Sequence, residues 1–220
     1  MPHHEALRSL RVAFKKDVSP PNSMRQRGYK YDSPEKLIAS IQEDQDLIIP
    51  EFATLFEGTK LSREEVRRRV ADWLYEVSLI KEFASDPISV FCLAIELFDK
   101  ILLSLEKVDV KWVQLLGIVC LWIAGKLHLD NFEIIVDANT IAEFTDYAYS
   151  KSDVLTTENL ILKRVGWCVS SKYTVPWFVD YFGGFDTKKK LLLFDKIASC
   201  HISGRYREED PYTCAKRLLE

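Results

Sequence analysis

Apolar positions run most continuously from Trp112 to Leu127 (WVQLLGIVCLWIAGKL), where only Gln114, Gly117, Gly125 and Lys126 interrupt them. A helix that is apolar on every face needs cover on every face, so this stretch reads as the central buried helix of a soluble helical domain. At ~1.5 Å per residue it spans roughly 24 Å, short of the ~20 apolar residues expected of a membrane span. The flanking pattern is one-sided. Ser62 followed by Glu65 caps a helix to about Ile80, with Val66, Val70, Trp73, Leu74 and Val77 on one stripe. Asp86 and Pro87 open a helix to about Leu103, whose inward face is Ile88, Phe91, Ile95, Phe98 and Leu102.

Downstream, a polar connection from His128 to Val136 leads to a short helix from about Asn139 to Phe144. Ser150 and Asp153 cap a helix to about Val165, with Val154, Ile161, Leu162 and Val165 inward and Gly166 ending it. Further helices are predicted from Val175, from Asp186-Thr187 through Ile202, and from Asp210-Pro211. Upstream, residues 1–33 form a basic, flexible lead-in, and residues 34–61 hold one amphipathic helix, Pro34 to about Asp46, and a linker. No stretch reads as a strand, so the fold class is all-α.

Two carboxylates break the apolar stripes. Asp99 leans toward the inner face of its helix, where an unpaired charge is costly. Arg67, beside the Val70–Leu74 stripe, is the partner able to reach it bidentately. Glu158 stands between Val154 and Leu162 on its own stripe, an exception that requires a reason.

Composition narrows the class. With 47% hydrophobic residues over 220 positions the chain can bury a core without staples. Five scattered cysteines, Cys92, Cys120, Cys168, Cys200 and Cys214, mostly inside apolar runs, read as buried reduced thiols in a nuclear or cytosolic protein. A net charge of −3 argues against nucleic-acid binding. His3 and His4 have no further ligands in metal-site spacing, and His128 and His201 have no motif-spaced base or nucleophile, so neither a metal site nor an enzyme is indicated. Lys188-Lys189-Lys190 reads as a solvated helix start.

Four segments in order resemble the cyclin family: VRRRVADWLYEV (66–77), LFDKIL around Asp99, VQLLGIVCLWIAGKL ending at Lys126, and YSKSDVLTTENLIL with Glu158. The resemblance covers roughly residues 62–182. It implies a five-helix cyclin box (62–172) packed around its third helix, preceded by an N-terminal helix and followed by a partial second box (173–220). It further implies a non-catalytic subunit that forms a heterodimer with a cyclin-dependent serine/threonine kinase and holds the kinase's regulatory helix in its active position. No cofactor, membrane or nucleic acid is implied, while kinase substrates or inhibitors are further partners.

By the same resemblance Lys126 and Glu158 grip the kinase, Leu127, Leu162 and Trp167 add apolar contacts, and Arg67 and Asp99 form an internal ion pair. A substrate-docking groove would map to Val66, Val70, Trp73, Glu76 and Gln114, where Arg69 replaces an apolar floor residue and argues against recruitment of short Arg-x-Leu peptides. After Lys126 the residues Leu127, His128 and Leu129 replace the aromatic and two acids common in the family. The incomplete second box implies a divergent one-box member or a truncated chain. Lys126 also fits a plain helix C-terminal cation, and Glu158 a plain internal partner for it. A cyclin-fold adaptor without kinase activation is the alternative function.

Overall fold

A computed structural model of the chain describes residues 55–80, 86–128, 136–167, 169, 174–182 and 187–220. The basic lead-in with His3 and His4, the helix expected from Pro34, Cys168 and the Lys188–Lys190 side chains lie outside the described residues. In chain order the elements are β1 (Leu55–Glu57), α1 (Arg63–Ser78), α2 (Pro87–Leu103), β2 (Lys107–Asp109), a 3-10 turn (Val110–Trp112), α3 (Val113–Leu127), α4 (Ala138–Phe144) and α5 (Lys151–Arg164). There follow α6 (Val175–Phe182), α7 (Thr187–Ile202), a second 3-10 turn (Arg205–Arg207) and α8 (Pro211–Leu219).

The helix starts follow their caps. Ser62 accepts from the Glu65 amide, Asp86 from that of Ser89 with Pro87 at the first helical position, and Asp210 from that of Thr213. Ser150 and Asp153 form the full reciprocal capping box of α5. Gly166, at φ 61°, supplies the left-handed residue that ends it.

α3 is the hub, packed against α1, α2, α4 and α5. From Val113 to Gly125 every residue except Gln114 is buried. Gly117 sets how closely α1 approaches, because a Cβ there would lie 2.7 Å from Val70 Cγ1 and 3.2 Å from Leu74 Cδ1. α7 packs on α1 and α2, while α6 packs on α2 and α8, so one continuous core joins the first five helices to the last three.

Four expectations need correction. Among the described residues are two short strands: β1 and β2 pair in parallel, Phe56 opposite Val108. Each is three residues long, too short for an alternating pattern to register. The central element begins as a 3-10 turn with Asp109 accepting from the Lys111 amide, and α-helix starts only at Val113. Counted with that turn, Val110–Leu127 is an 18-residue run long and apolar enough by length and composition to cross a membrane, rather than falling short. Its burial by four neighbouring helices makes it a core helix. Helix α1 stops at Ser78 rather than Ile80, and Leu79 and Ile80 are exposed.

Candidate functional site

Two ion pairs dominate the chemistry of the helical body. The inner one joins α1 to α2. Arg67 Nε donates to Asp99 Oδ1 and Nη2 to Oδ2, both at 2.9 Å, with side chains 1% and 0% exposed. A guanidinium has five N–H donors, and two carboxylate oxygens cannot satisfy them in a dry site. Two of the remaining three go to the C-terminus of α7, where Nη2 donates to the His201 carbonyl at 2.8 Å and Nη1 to that of Ile202 at 2.7 Å. Carbonyls at a helix C-terminus have no intrahelical partners and carry partial negative charge, so a cation caps them well. Tyr206, in the second 3-10 turn, donates its hydroxyl to Asp99 Oδ2 at 2.5 Å.

His201 adds a second buried polar group beside this node. Its ring stacks on Tyr206 at 4.4 Å, and its Nδ1 lies 3.0 Å from the Ile197 carbonyl and 3.6 Å from Cys92 Sγ. Its Nε2 faces Glu96 at 3.8 Å. Burial disfavours the charged ring, but the Cys92 sulfur and the Glu96 carboxylate outweigh it and hold the His201 pKa well above its ordinary value. Burial and the Asp99 charge likewise push the Tyr206 phenol up, so it stays a hydrogen-bond donor.

The outer pair lies where α3 ends against α5. Lys126 Nζ donates to Glu158 Oε1, with 29% and 17% of the side chains exposed. Lys126 also sits over the face of Trp122, one turn earlier on α3, at 3.6 Å from the ring centre. Trp122 is held in turn by donating to the Val136 carbonyl at 2.6 Å. Around the pair Leu127 is 54% exposed and Trp167 66%, and Leu155, one turn before Glu158, is 44% exposed. Trp167 is fixed in this pose by φ 63° and by its amide donating to the Leu162 carbonyl. Leu162 is half-buried against the core.

The positions of the possible docking groove line α1 and the start of α3. Val66 is buried, Val70, Trp73 and Gln114 are half-buried, and Glu76 is exposed. Arg69 lies on the surface and donates to Glu65 at 2.8 Å.

The sequence reading found Arg67, Asp99, Lys126 and Glu158 but missed Tyr206, the two α7 carbonyls and the Trp122 platform. The five-donor demand of a buried guanidinium was the available signal for the first two, and the i, i+4 spacing of Trp122 and Lys126 for the third.

The model of the cyclin N-terminal domain family matches residues 36–170. The chain belongs to the cyclin family. Curated relatives include the G1/S-specific cyclin-E1 of Danio rerio, 31% identical over 118 residues, covering 53% of this chain and 27% of that protein. The G1/S-specific cyclin-E of Drosophila melanogaster is 29% identical over 143 residues, covering 64% and 19%. The G1/S-specific cyclin-D1 of Xenopus laevis is 29% identical over 117 residues, covering 53% and 38%. The chain therefore spans between about a fifth and two-fifths of the length of these relatives. Among solved structures, a viral cyclin from herpesvirus saimiri superposes with a TM-score of 0.61 at 18% identity, covering 83% of this chain and 80% of that one, a likeness of fold. Cyclins are regulatory, non-catalytic proteins, and these curated relatives are G1/S-specific ones.

Proposed function

We propose that this cyclin binds a cyclin-dependent serine/threonine kinase and activates it by stabilising the active position of the kinase's regulatory helix. The observation that carries the reading is the Lys126–Glu158 pair, surface-accessible and bordered by the exposed side chains of Leu127 and Trp167. An ion pair whose members already offset one another is ready to exchange part of that contact for the backbone groups of a partner. The apolar rim supplies buried area around it. Leu162, whose carbonyl accepts the Trp167 amide, is half-buried and is assigned to the same surface in this reading.

The mechanism is a population shift. Phosphoryl transfer requires the kinase's helix glutamate to pair with its phosphate-binding lysine. A partner that binds the active arrangement better by about 5.5 kcal/mol moves the equilibrium from 1:99 to 99:1. Residues 62–172 form the kinase-binding box in this reading, and 173–220 begin a second helical unit that braces it. The proposed compartment is nucleus and/or cytoplasm, supported by the free, buried thiols of Cys92, Cys120, Cys200 and Cys214.

Capture of cyclin-dependent kinases by the chain, with phosphorylation of a generic substrate assayed in the captured complex, tests the reading against a Lys126→Ala/Glu158→Ala variant. Capture and activity both collapse in the variant if the site is right. A variant that binds and activates as well as the parent chain removes the site from the account. Capture without activation favours a non-activating adaptor.

A further inference from the structure

Outside the residues of the proposed kinase surface, α7 and α8 bring two thiols together. Cys200 and Cys214 are both buried, with sulfurs 3.5 Å apart. Arg217, one turn after Cys214, places Nη2 3.7 Å from each sulfur. Its guanidinium is anchored by Glu209, with Nε and Nη2 donating to one carboxylate oxygen at 2.8 and 2.5 Å. Cys200 borders an open cleft of about 350 Å³ lined also by Lys196, Arg205, Arg217 and Asp195, with Cys214 behind it. The lining carries three basic groups against one acid, which makes the cleft cationic, and it is large enough to admit a small reagent. Cys92 and Cys120 provide the contrast, because both are 0% exposed and neither borders this cleft.

We propose that Cys200 is a peroxide-reactive modification site and that Cys214 resolves it to a disulfide stapling α7 to α8. The Cys200 thiolate attacks one peroxide oxygen, the O–O bond breaks, and the departing hydroxide takes a proton to leave as water. The Cys214 sulfur then attacks the sulfur of the Cys200 sulfenic acid. An S–S bond forms, the S–O bond breaks, and the released hydroxide takes the Cys214 proton to give a second water. Two thiols together lose two electrons and two protons, and the peroxide is the oxidant. Three features of the site support each step: the cationic cleft admits and polarises the peroxide, Arg217 stabilises the thiolate, and the resolving sulfur is already in contact.

The acid–base behaviour of the pair agrees with this geometry. The hydrogen bond from Cys214 lowers the Cys200 pKa to about 6 against the opposing effect of burial, with the charges of His201 and Arg217 assisting. The same hydrogen bond raises Cys214. Burial raises Cys92 and Cys120.

The staple has a structural consequence. The chain between the two cysteines carries the His201 and Ile202 carbonyls that cap Arg67 and the Tyr206 hydroxyl on Asp99. Oxidation therefore closes a covalent loop around the segment that holds the inner ion pair.

The test is hydrogen peroxide treatment of the full 220-residue chain at neutral pH with a sulfenic-acid trapping reagent present, followed by digestion and mass spectrometry. The expected products are a Cys200–Cys214 cross-linked peptide in the parent chain and trapped sulfenic acid at Cys200 in Cys214→Ala. Cys200→Ala leaves Cys214 reduced. Oxidation at Cys200 outpaces that at Cys92 and Cys120 by about tenfold or more, because their raised pKa values leave little thiolate. Arg217→Gln keeps both thiols and slows the reaction several-fold, so the proposal stays testable if a cysteine variant does not fold. Oxidation at Cys200 no faster than at Cys92 or Cys120 overturns the proposal. A cross-link to a different cysteine, or oxidation of Cys214 that persists in Cys200→Ala, does the same.

Discussion

Two ion pairs of like chemistry behave as opposites in this molecule. Arg67–Asp99 is sealed from water, bidentate and completed by Tyr206 and two helix-end carbonyls. Lys126–Glu158 is a single contact at the edge of the body, partly open to solvent and ringed by exposed apolar side chains. Desolvation separates their consequences. A buried charge that loses its partner cannot recover water, whereas an exposed one exchanges partners at little cost. The inner pair therefore serves the architecture, and the outer pair is free to serve recognition.

Removing Asp99 tests that contrast most strongly. Asp99→Ala leaves the Arg67 charge buried and unpaired, and denaturant unfolding is expected to show a loss of about 3–5 kcal/mol. Replacing both members by apolar residues of similar size, Arg67→Met with Asp99→Leu, is expected to restore most of that loss. A double variant as unstable as the single one contradicts this desolvation argument. Tyr206→Phe removes one donor from the same carboxylate and is expected to cost about 1.5–3 kcal/mol, the range for a hydrogen bond to a charged group. Gly117→Ala tests the hub instead. The added methyl meets Val70 Cγ1, so overpacking of ~1–3 kcal/mol outweighs the ~1 kcal/mol gained in helix propensity. A melting temperature that rises instead shows that Val70 yields freely.

A smaller effect is expected with pH. The folded-state pKa of His201 is raised above its unfolded value of ~6.5, so the stability it contributes is complete below that value and is lost as pH rises through the folded pKa. Unfolding free energy measured upward from neutral pH is expected to fall in the parent chain and to fall less steeply in Glu96→Gln, where one of the two groups that raise the His201 pKa is gone. Equal slopes in the two chains contradict the assignment. Mutation of the outer pair is expected to change stability least, by under ~1 kcal/mol.

The inner pair was legible in the sequence as far as Asp99, because a carboxylate on an apolar stripe demands a cation and Arg67 is the one on the adjoining face. Tyr206 lies 107 residues from Asp99 and reaches it only through the turn after α7, so no local spacing marks it. The helices were legible where caps and stripes coincide, as at Ser62, Asp86 and Ser150. The paired strands were not, since Phe56 and Val108 meet across α1 and α2 with no alternating run to announce them. Glu158 was conspicuous as a charge on an apolar face. Trp167 was named only through the family resemblance, because its exposure is set by a left-handed backbone after Gly166 that the hydrophobic pattern does not encode.

The most direct test is a double-mutant cycle over Lys126 and Glu158 read twice, once as kinase affinity and once as unfolding free energy. Affinity is expected to fall by about 2–5 kcal/mol while stability stays within ~1 kcal/mol of the parent chain. Unchanged affinity in the double variant, or a loss of stability as large as that of Asp99→Ala, contradicts the division of labour between the two pairs.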